Sequence, residues 1–381
     1  MIETRPRPNS LALVARGTAL LVALCLSGCA SKVLKEDNAA EILKNDEFDK
    51  AIKVKELSPD SGPGLYVRLP GPEPVKTAVA PGAAPVVEVI IPGAPGAKPA
   101  KSKKDKNKKK EPVEVAAVVS AVVAADPVPQ PTPRQPSIED SEGFNGRRPI
   151  NDPYRVGEKV VLDISYFNVT AGDMILETKP FVEVNGRKAY QFIGRAISTS
   201  VFAMFYAVDD WFETLVDYET LVPYSYALHV KETKQLRETR SIFDWDKMKV
   251  RFWDKKIDQE KKVEEKRQEW DLPAYSQNVF SAAFYLRNFK LTPGKKIAFR
   301  VAHENENLVV TGEVIRREKI SVPAGEFDTV IVKPTIALNG AFKPVGDIYF
   351  WLTDDDRKLI VKIESKIKIG KIVGVAKSVT R

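Results

Sequence analysis

From Val160 the apolar residues of this chain fall on every second position: Val160, Leu162, Ile164 and Tyr166. That spacing is the one a half-buried strand requires, because successive side chains of a strand point to opposite faces. A helix cannot gather such residues into one stripe. Further alternating or β-branched runs stand at 224–230, 297–301, 309–315, 330–332, 348–352 and 359–369. Asn185-Gly186 lies between the runs 178–184 and 188–193, the pattern of a two-residue hairpin. Pro323-Ala324-Gly325 and Asn339-Gly340 read as turns. The expected fold class is therefore mainly β: a curved antiparallel sheet, sandwich or open barrel-like. One amphipathic helix interrupts it at about 276–289, capped by Ser276, with Val279, Phe280, Ala283, Phe284 and Leu286 as its apolar stripe. The highly charged stretch 254–271 reads as an exposed hairpin or loop.

Most of the 27 prolines precede residue 150, so the fold-forming sequence is confined to one globular domain at 147–381. Residues 58–146 are a Pro/Ala/Lys-rich linker with little to bury, expected to be disordered. Residues 29–57 form a separate N-terminal segment, weakly helical over 37–57 through Leu43, Ala51 and Ile52. The apolar stretch 113–125 is too short to cross a bilayer, which takes about 20 helical residues.

Residues 1–28 begin with Arg5, Arg7 and Arg16 and continue into the apolar run 17–26. That run is also too short to span, and it fits the hydrophobic region of an export signal. Leu26-Ser27-Gly28-Cys29 then resembles the lipobox of bacterial lipoproteins. The resemblance implies cleavage before Cys29, modification of Cys29 by lipid (palmitate-type acyl chains), and a membrane-tethered mature protein. Cleavage would remove Cys25, the only other cysteine, so the domain holds together without a disulfide. Ala30 follows Cys29 where an aspartate would stand under the enterobacterial sorting rule, which implies the outer membrane, facing the periplasm.

The formal charge of +8 is local: +2 sits in residues 1–28 and +6 in residues 101–110. No basic footprint is left for a folded face, and no aromatic residues interleave the lysines, so nucleic acid is not an expected partner. Lys103, Lys104, Lys106, Lys108, Lys109 and Lys110 read either as a self-repelling solvated spacer or as contacts to an anionic surface, lipid headgroups or cell-wall polymer.

No catalytic constellation emerges. His229 and His303 are far apart and lack ligand spacing, so neither a metal nor a cofactor is expected. No Gly-x-Ser-x-Gly elbow or phosphate-binding loop is present. Asp209 and Asp210 are adjacent and would point to opposite faces of a strand, and Asp354-Asp355-Asp356 reads as a polar turn. The densest aromatic cluster is Phe202, Phe205, Tyr206, Trp211 and Phe212. It reads either as core or, for Phe205, Tyr206 and Trp211 together with Phe280 and Phe284 of the helix, as the wall of an apolar cavity. The helix is then a plug in the sheet or a lid over ligand.

A series of short pieces resembles a large bacterial family known only as a domain of unknown function. They are Tyr154-Arg155-Val156-Gly157-Glu158, Ala171-Gly172-Asp173, Phe205-Tyr206-Ala207-Val208-Asp209-Asp210 and Leu221-Val222-Pro223. Phe284-Tyr285-Leu286-Arg287, Val322-Pro323-Ala324-Gly325-Glu326-Phe327 and Trp351-Leu352-Thr353-Asp354-Asp355 continue it, so the resemblance runs over 154–375. It implies an exported, mostly antiparallel β protein with no established catalytic residues. The architecture also resembles periplasmic lipoprotein carriers, which shield acyl chains. The expected function is non-enzymatic binding of an apolar ligand or a partner protein by the β domain. The alternative is a structural module whose basic linker engages cell-wall polymer while the domain contacts another envelope protein; an unrecognised hydrolase is a third reading.

Overall fold

The computed structural model describes residues 45–57, 138–338, 341–343, 347–366 and 370–380. Residues 1–28, Cys29, residues 101–110 and Asn339-Gly340 lie outside the described residues. The chain opens with helix α1 (Asp46–Ala51), strand β1 (Val54–Glu56) and a small hairpin of β2 (Phe144–Asn145) and β3 (Arg148–Pro149). The sheet proper starts with β4 (Lys159–Tyr166), β5 (Val169–Thr178), β6 (Val182–Val184) and β7 (Arg187–Ser198). After the short helix α2 (Ser200–Ala203) come β8 (Asp209–Asp217), β9 (Pro223–Lys231), β10 (Gln235–Asp244), β11 (Lys249–Asp258) and β12 (Val263–Asp271). Helix α3 (Val279–Tyr285) and a 3-10 turn (Leu286–Asn288) lead into β13 (Lys296–His303), β14 (Glu306–Val322) and β15 (Gly325–Leu338). The chain ends with β16 (Ala341–Lys343), β17 (Asp347–Thr353), β18 (Ile360–Lys366) and β19 (Lys371–Thr380).

Every ladder between these strands is antiparallel, and the last strand returns to the first of the domain: β19 pairs with β4, Thr380 opposite Lys159. From that seam the sheet runs one way through β5, β7, β8, β9, β10 and β11 to β12. It runs the other way through β18, β17, β15 and β14 to β13. The expected class is the one observed, an open, curved antiparallel sheet around one amphipathic helix. The segment after β12 approaches the far edge, where Gln277 bridges in parallel to Val301. Asn185 and Gly186 take φ values of 50° and 82° and make the two-residue turn from β6 to β7, as their spacing predicts.

Antiparallel order gives the sheet two ends. The turns after β4, β9, β11 and β13 lie at one end, here the rim, with α2 beside them; those after β6, β8, β10, β14 and β17 lie at the other, the base. On β4, Val160 and Leu162 are buried and continue into a core with Tyr190, Phe192, Ile331 and Leu352. Helix α3 fills the concavity. Its Phe284 stacks on Phe192 at 4.2 Å, and Tyr285 meets Phe299 edge-on. Burying each such ring contributes roughly 2–3 kcal/mol. Its cap is Asn278, not Ser276: Asn278 Oδ1 accepts from the backbone N–H of Phe280 and Ser281, while the Ser276 hydroxyl donates to the Pro273 carbonyl.

The N-terminal segment is part of this body. Phe48 is buried against Ile242 and Trp253 on the outside of β10 and β11, with Ala51 and Ile52 packed beside it. β1 then pairs with β6, Val54 opposite Val184, and the Lys53 N–H donates to Asn185 Oδ1. Residues 58–137 therefore connect two segments of one folded unit.

The base is held by a buried ion cluster. Glu158 accepts from Arg287 Nη1 (2.5 Å), Arg357 Nη2 (2.6 Å) and the Thr178 hydroxyl (3.0 Å). Burial pushes its pKa up, but the charge and hydrogen bond of Arg287, with those of Arg357 and Thr178, hold it below the ordinary glutamate value. The Tyr154 hydroxyl donates to the Phe284 carbonyl, and Asn288 Nδ2 donates to that hydroxyl, which ties the chain before β4 to the end of α3.

Candidate functional site

Toward the rim the interior is not filled. A half-open cavity of about 50 Å³ lies between α3 and the strands β5, β7, β8, β9 and β10. Its apolar wall is Met174, Phe212, Leu228, Val279 and Phe280. Phe280 stacks on Phe212 at 4.2 Å and meets Tyr226 edge-on at 5.2 Å. Gly194 makes this stack possible: a Cβ there would lie 2.1 Å from the Phe212 ring. A water needs about 10–15 Å³ on this measure, so the cavity takes a few waters or the end of a chain. A lipid-sized guest requires Phe280 to move.

The remaining wall is polar, and its groups come from strands far apart in sequence. Asp210 is buried and accepts from the Lys231 N–H at 2.9 Å. Beside it stands Glu232, brought there by the bridge between Val208 and Glu232. Glu232 Oε2 accepts from the Tyr206 hydroxyl (2.8 Å) and from Gln235 Nε2 (2.6 Å). Burial, and then the neighbouring Glu232 carboxylate, push Asp210 up to about 8, so Asp210 holds a proton at neutral pH. Asp209, on the other face of β8, pairs with Arg195 instead, as strand alternation requires.

Across the cavity, Arg237 donates to Asp254 (2.5 Å) and to Glu304 (3.0 Å), and the Thr239 hydroxyl donates to Asp254 (2.7 Å). His303, at the end of β13, is held neutral by burial, which lowers its pKa. Neither ring nitrogen of His303 has a hydrogen-bond partner among the described residues. The Ser241 hydroxyl stands opposite Tyr226 on β10 and is the polar group near the Tyr226 hydroxyl. An unmet buried polar group costs roughly 1–3 kcal/mol, so the ring awaits water or a guest.

The aromatic residues expected to line a cavity are divided by the fold. Phe280 lines this cavity, whereas Trp211 borders it only through its backbone, its ring lying on the outer face of β8 against His229. Phe284 instead borders a second space of about 20 Å³ next to Glu158 and Arg287. Phe205 is 74 % exposed on the rim, and Tyr206 acts through Glu232 and not on the cavity wall. His303, Asp210, Glu232 and Arg237 were not singled out as site residues, because nothing in their local spacing announces them. Asp209-Asp210 as part of a recurring motif was the one available signal. Among the described residues no group of three or more His, Cys, Asp or Glu is placed to hold a metal ion.

Similar solved structures are distant. A β-barrel-like protein of the domain of unknown function DUF1849 from Brucella abortus is 12 % identical over 59 % of this chain and 98 % of its own, with a TM-score of 0.38. A protein described as exported, with a YmcC-like fold, from Bacteroides fragilis is 11 % identical, covering 60 % of this chain and 98 % of its own, with a TM-score of 0.25. One described as a lipoprotein, from Parabacteroides distasonis, is 10 % identical, covering 59 % and 96 %, with a TM-score of 0.24. No curated protein matches the chain. Residues 161–377, well over half of the sequence, match the model of a family described as proteins of unknown function, and the chain belongs to that family, DUF3108.

Proposed function

We propose that this protein is a non-enzymatic envelope lipoprotein, anchored in the outer membrane through an acylated Cys29 and facing the periplasm. Its β domain binds an apolar ligand with a neutral polar head in the cavity beneath α3. One observation carries the binding reading: the His303 ring is buried and has no hydrogen-bond partner among the described residues, in an otherwise largely apolar wall that also presents the Tyr226 hydroxyl. Tyr226 supplies a donor, and a neutral imidazole supplies one donor and one acceptor. Arg237 is already bonded to Asp254 and Glu304, and Arg195 to Asp209, so neither guanidinium is spare for an anionic head. An ester or an alcohol on an acyl chain satisfies both requirements. The anchor reading rests on the apolar run before Leu26-Ser27-Gly28-Cys29.

Two measurements test this. Mass spectrometry of the N-terminal peptide should show a diacyl- or triacyl-modified Cys29, and Cys29→Ser should move the chain out of the membrane fraction. Organic extraction of the purified full-length protein should yield an apolar species. Phe280→Trp, which adds a ring to the cavity, should reduce it about fivefold or more. An unmodified Cys29 would sink the first half of the proposal, and equal yields from the two proteins would sink the second.

A further inference from the structure

Six of the nine large apolar side chains most exposed among the described residues lie at the rim: Phe167, Val169, Val201, Met204, Phe205 and Val263. A soluble surface scatters such residues singly, so their gathering at one end calls for a partner. They belong to one continuous arc. The Thr199 N–H donates to the Ala171 carbonyl, joining α2 to the start of β5. The Thr233 N–H donates to the Ala207 carbonyl, and Gln259 Nε2 donates to the Thr233 carbonyl, carrying the arc to the turn before β12. Along the segments 166–171 and 199–208 there is no charged residue. Lysines flank them: Lys366 and Lys371 beside Tyr166 on one side, Lys231 and Lys234 on the other. The cavity reaches the same end, with Asp210, His303 and Glu304 in its wall.

We infer that the rim docks onto the surface of an anionic bilayer, with Phe167, Met204 and Phe205 entering the interfacial region and the lysines over the headgroups. Aromatic and aliphatic tips on segments without charge are the composition that partitions into a membrane interface, and the lysines among the flanking charges, which also include Glu232, Asp258 and Glu260, can meet anionic headgroups. Chain length agrees. If Cys29 is acylated, the fifteen residues 30–44 reach at most about 50 Å before Asn45 is fixed by α1, so the body never leaves the neighbourhood of the membrane. In this pose the cavity would face the lipid from which its guest comes. The inference rests on the Cys29 anchor only for proximity; the rim residues carry it independently.

The test uses the full-length protein reconstituted into vesicles of phosphatidylethanolamine and phosphatidylglycerol. The only native cysteines are Cys25 and Cys29, so a polarity-sensitive thiol dye can be placed at Met204→Cys on the rim or at Ile150→Cys on the base, both exposed. Flotation first separates protein that stays with vesicles, which reads the anchor by itself. On that fraction, a lipid-borne quencher should dim the dye at position 204 about threefold more than at position 150. Adding Phe167→Asp and Phe205→Asp should bring position 204 down to the level of position 150, and so should high salt in part. Equal quenching at both positions would overturn the inference. So would a dye at 204 that is shielded from water yet untouched by the lipid quencher, because a protein would then cover the rim.

Discussion

At the base Glu158 meets two guanidinium groups, whereas at the rim Asp210 meets another carboxylate. Both acids are buried on the same sheet, and their neighbours move their pKa values in opposite directions. The base spends its polar groups on holding the chain before β4, the end of α3 and the turn after β17 together. The rim leaves a carboxyl pair, a neutral imidazole and a phenol facing a cavity, with apolar tips around its mouth. Buried polar atoms without a partner stand at both ends, Asn288 Oδ1 and Arg357 Nε at the base and the His303 ring at the rim, so the contrast lies in what each buried acid meets. The difference marks the base as the clamp of the structure and the rim as its working end.

The largest expected effect would break the clamp. Glu158→Ala leaves Arg287 and Arg357 without their shared counter-charge, which costs about 3–5 kcal/mol when a buried pair loses one partner. Urea unfolding of the full chain measures it, and a loss below about 1 kcal/mol would mean that the cluster is ornamental. The pH dependence has a definite sign. Because the folded pKa is depressed, the contribution of Glu158 is present above the unfolded value of about 4.3 and fades as pH falls through the lower folded value. Glu158→Gln should flatten that acidic slope. Next in size is Phe280→Ala. It removes a ring stacked on Phe212 and Tyr226 and should cost about 2–3 kcal/mol, less than a fully buried phenylalanine because Phe280 is partly exposed. The base cluster should be untouched, so the acidic slope stays as in the parent protein.

Much of the fold was legible because period 2 survives wherever one face of a strand is apolar. β4, β9 and β13 follow from their alternation, and the turn from β6 to β7 follows from Asn185-Gly186. β10 and β11 were harder. Their outer face is covered by α1 and their inner face carries Arg237, Thr239 and Asp254, so buried residues stand on both sides and charge pairs replace apolar contrast. The helix in the concavity was legible from its stripe, but its start was not: Ser276 and Asn278 both have capping side chains, and only the path of the backbone selects Asn278. Little of the cavity was legible: aromatic density includes Phe280, yet the polar wall is assembled from β8, β9, β10 and β13 by contacts that no local window contains.

An effect of opposite sign sharpens the contrast between the two acids. The raised pKa of Asp210 means that the folded state holds a proton there which the unfolded chain releases near pH 4. Between that value and about 8 the native state binds more protons, so this group makes stability fall as pH rises. Asparagine mimics the protonated acid: it can still accept from the Lys231 N–H and can donate to Glu232. Asp210→Asn should therefore raise stability by about 3 kcal/mol or more at pH 9 and leave it nearly unchanged at about pH 3, below the unfolded value. Chemical denaturation at the two pH values measures it. A variant equally destabilised at both would show that Asp210 is ionised in the fold and serves as a clamp like Glu158.

The smallest effect on the free protein is the most telling about the rim. Tyr226→Phe removes a hydroxyl set only against the Ser241 hydroxyl, without a well-formed hydrogen bond, so the stability of the unliganded chain should stay within about 0.3 kcal/mol of the parent. A hydroxyl kept for architecture would behave otherwise: its loss would cost the 0.5–1.5 kcal/mol typical of a made hydrogen bond, about the effect expected of Tyr154→Phe at the base, where the hydroxyl is bonded to the Phe284 carbonyl and to Asn288. If the cavity holds a guest through Tyr226, the cost appears in binding instead, as about a tenfold smaller recovery of the extracted ligand. Paired unfolding and extraction measurements on the two tyrosine variants separate these outcomes. Loss of stability at Tyr226 with no change in ligand recovery would make the rim a second clamp and remove the physical ground for placing a ligand there.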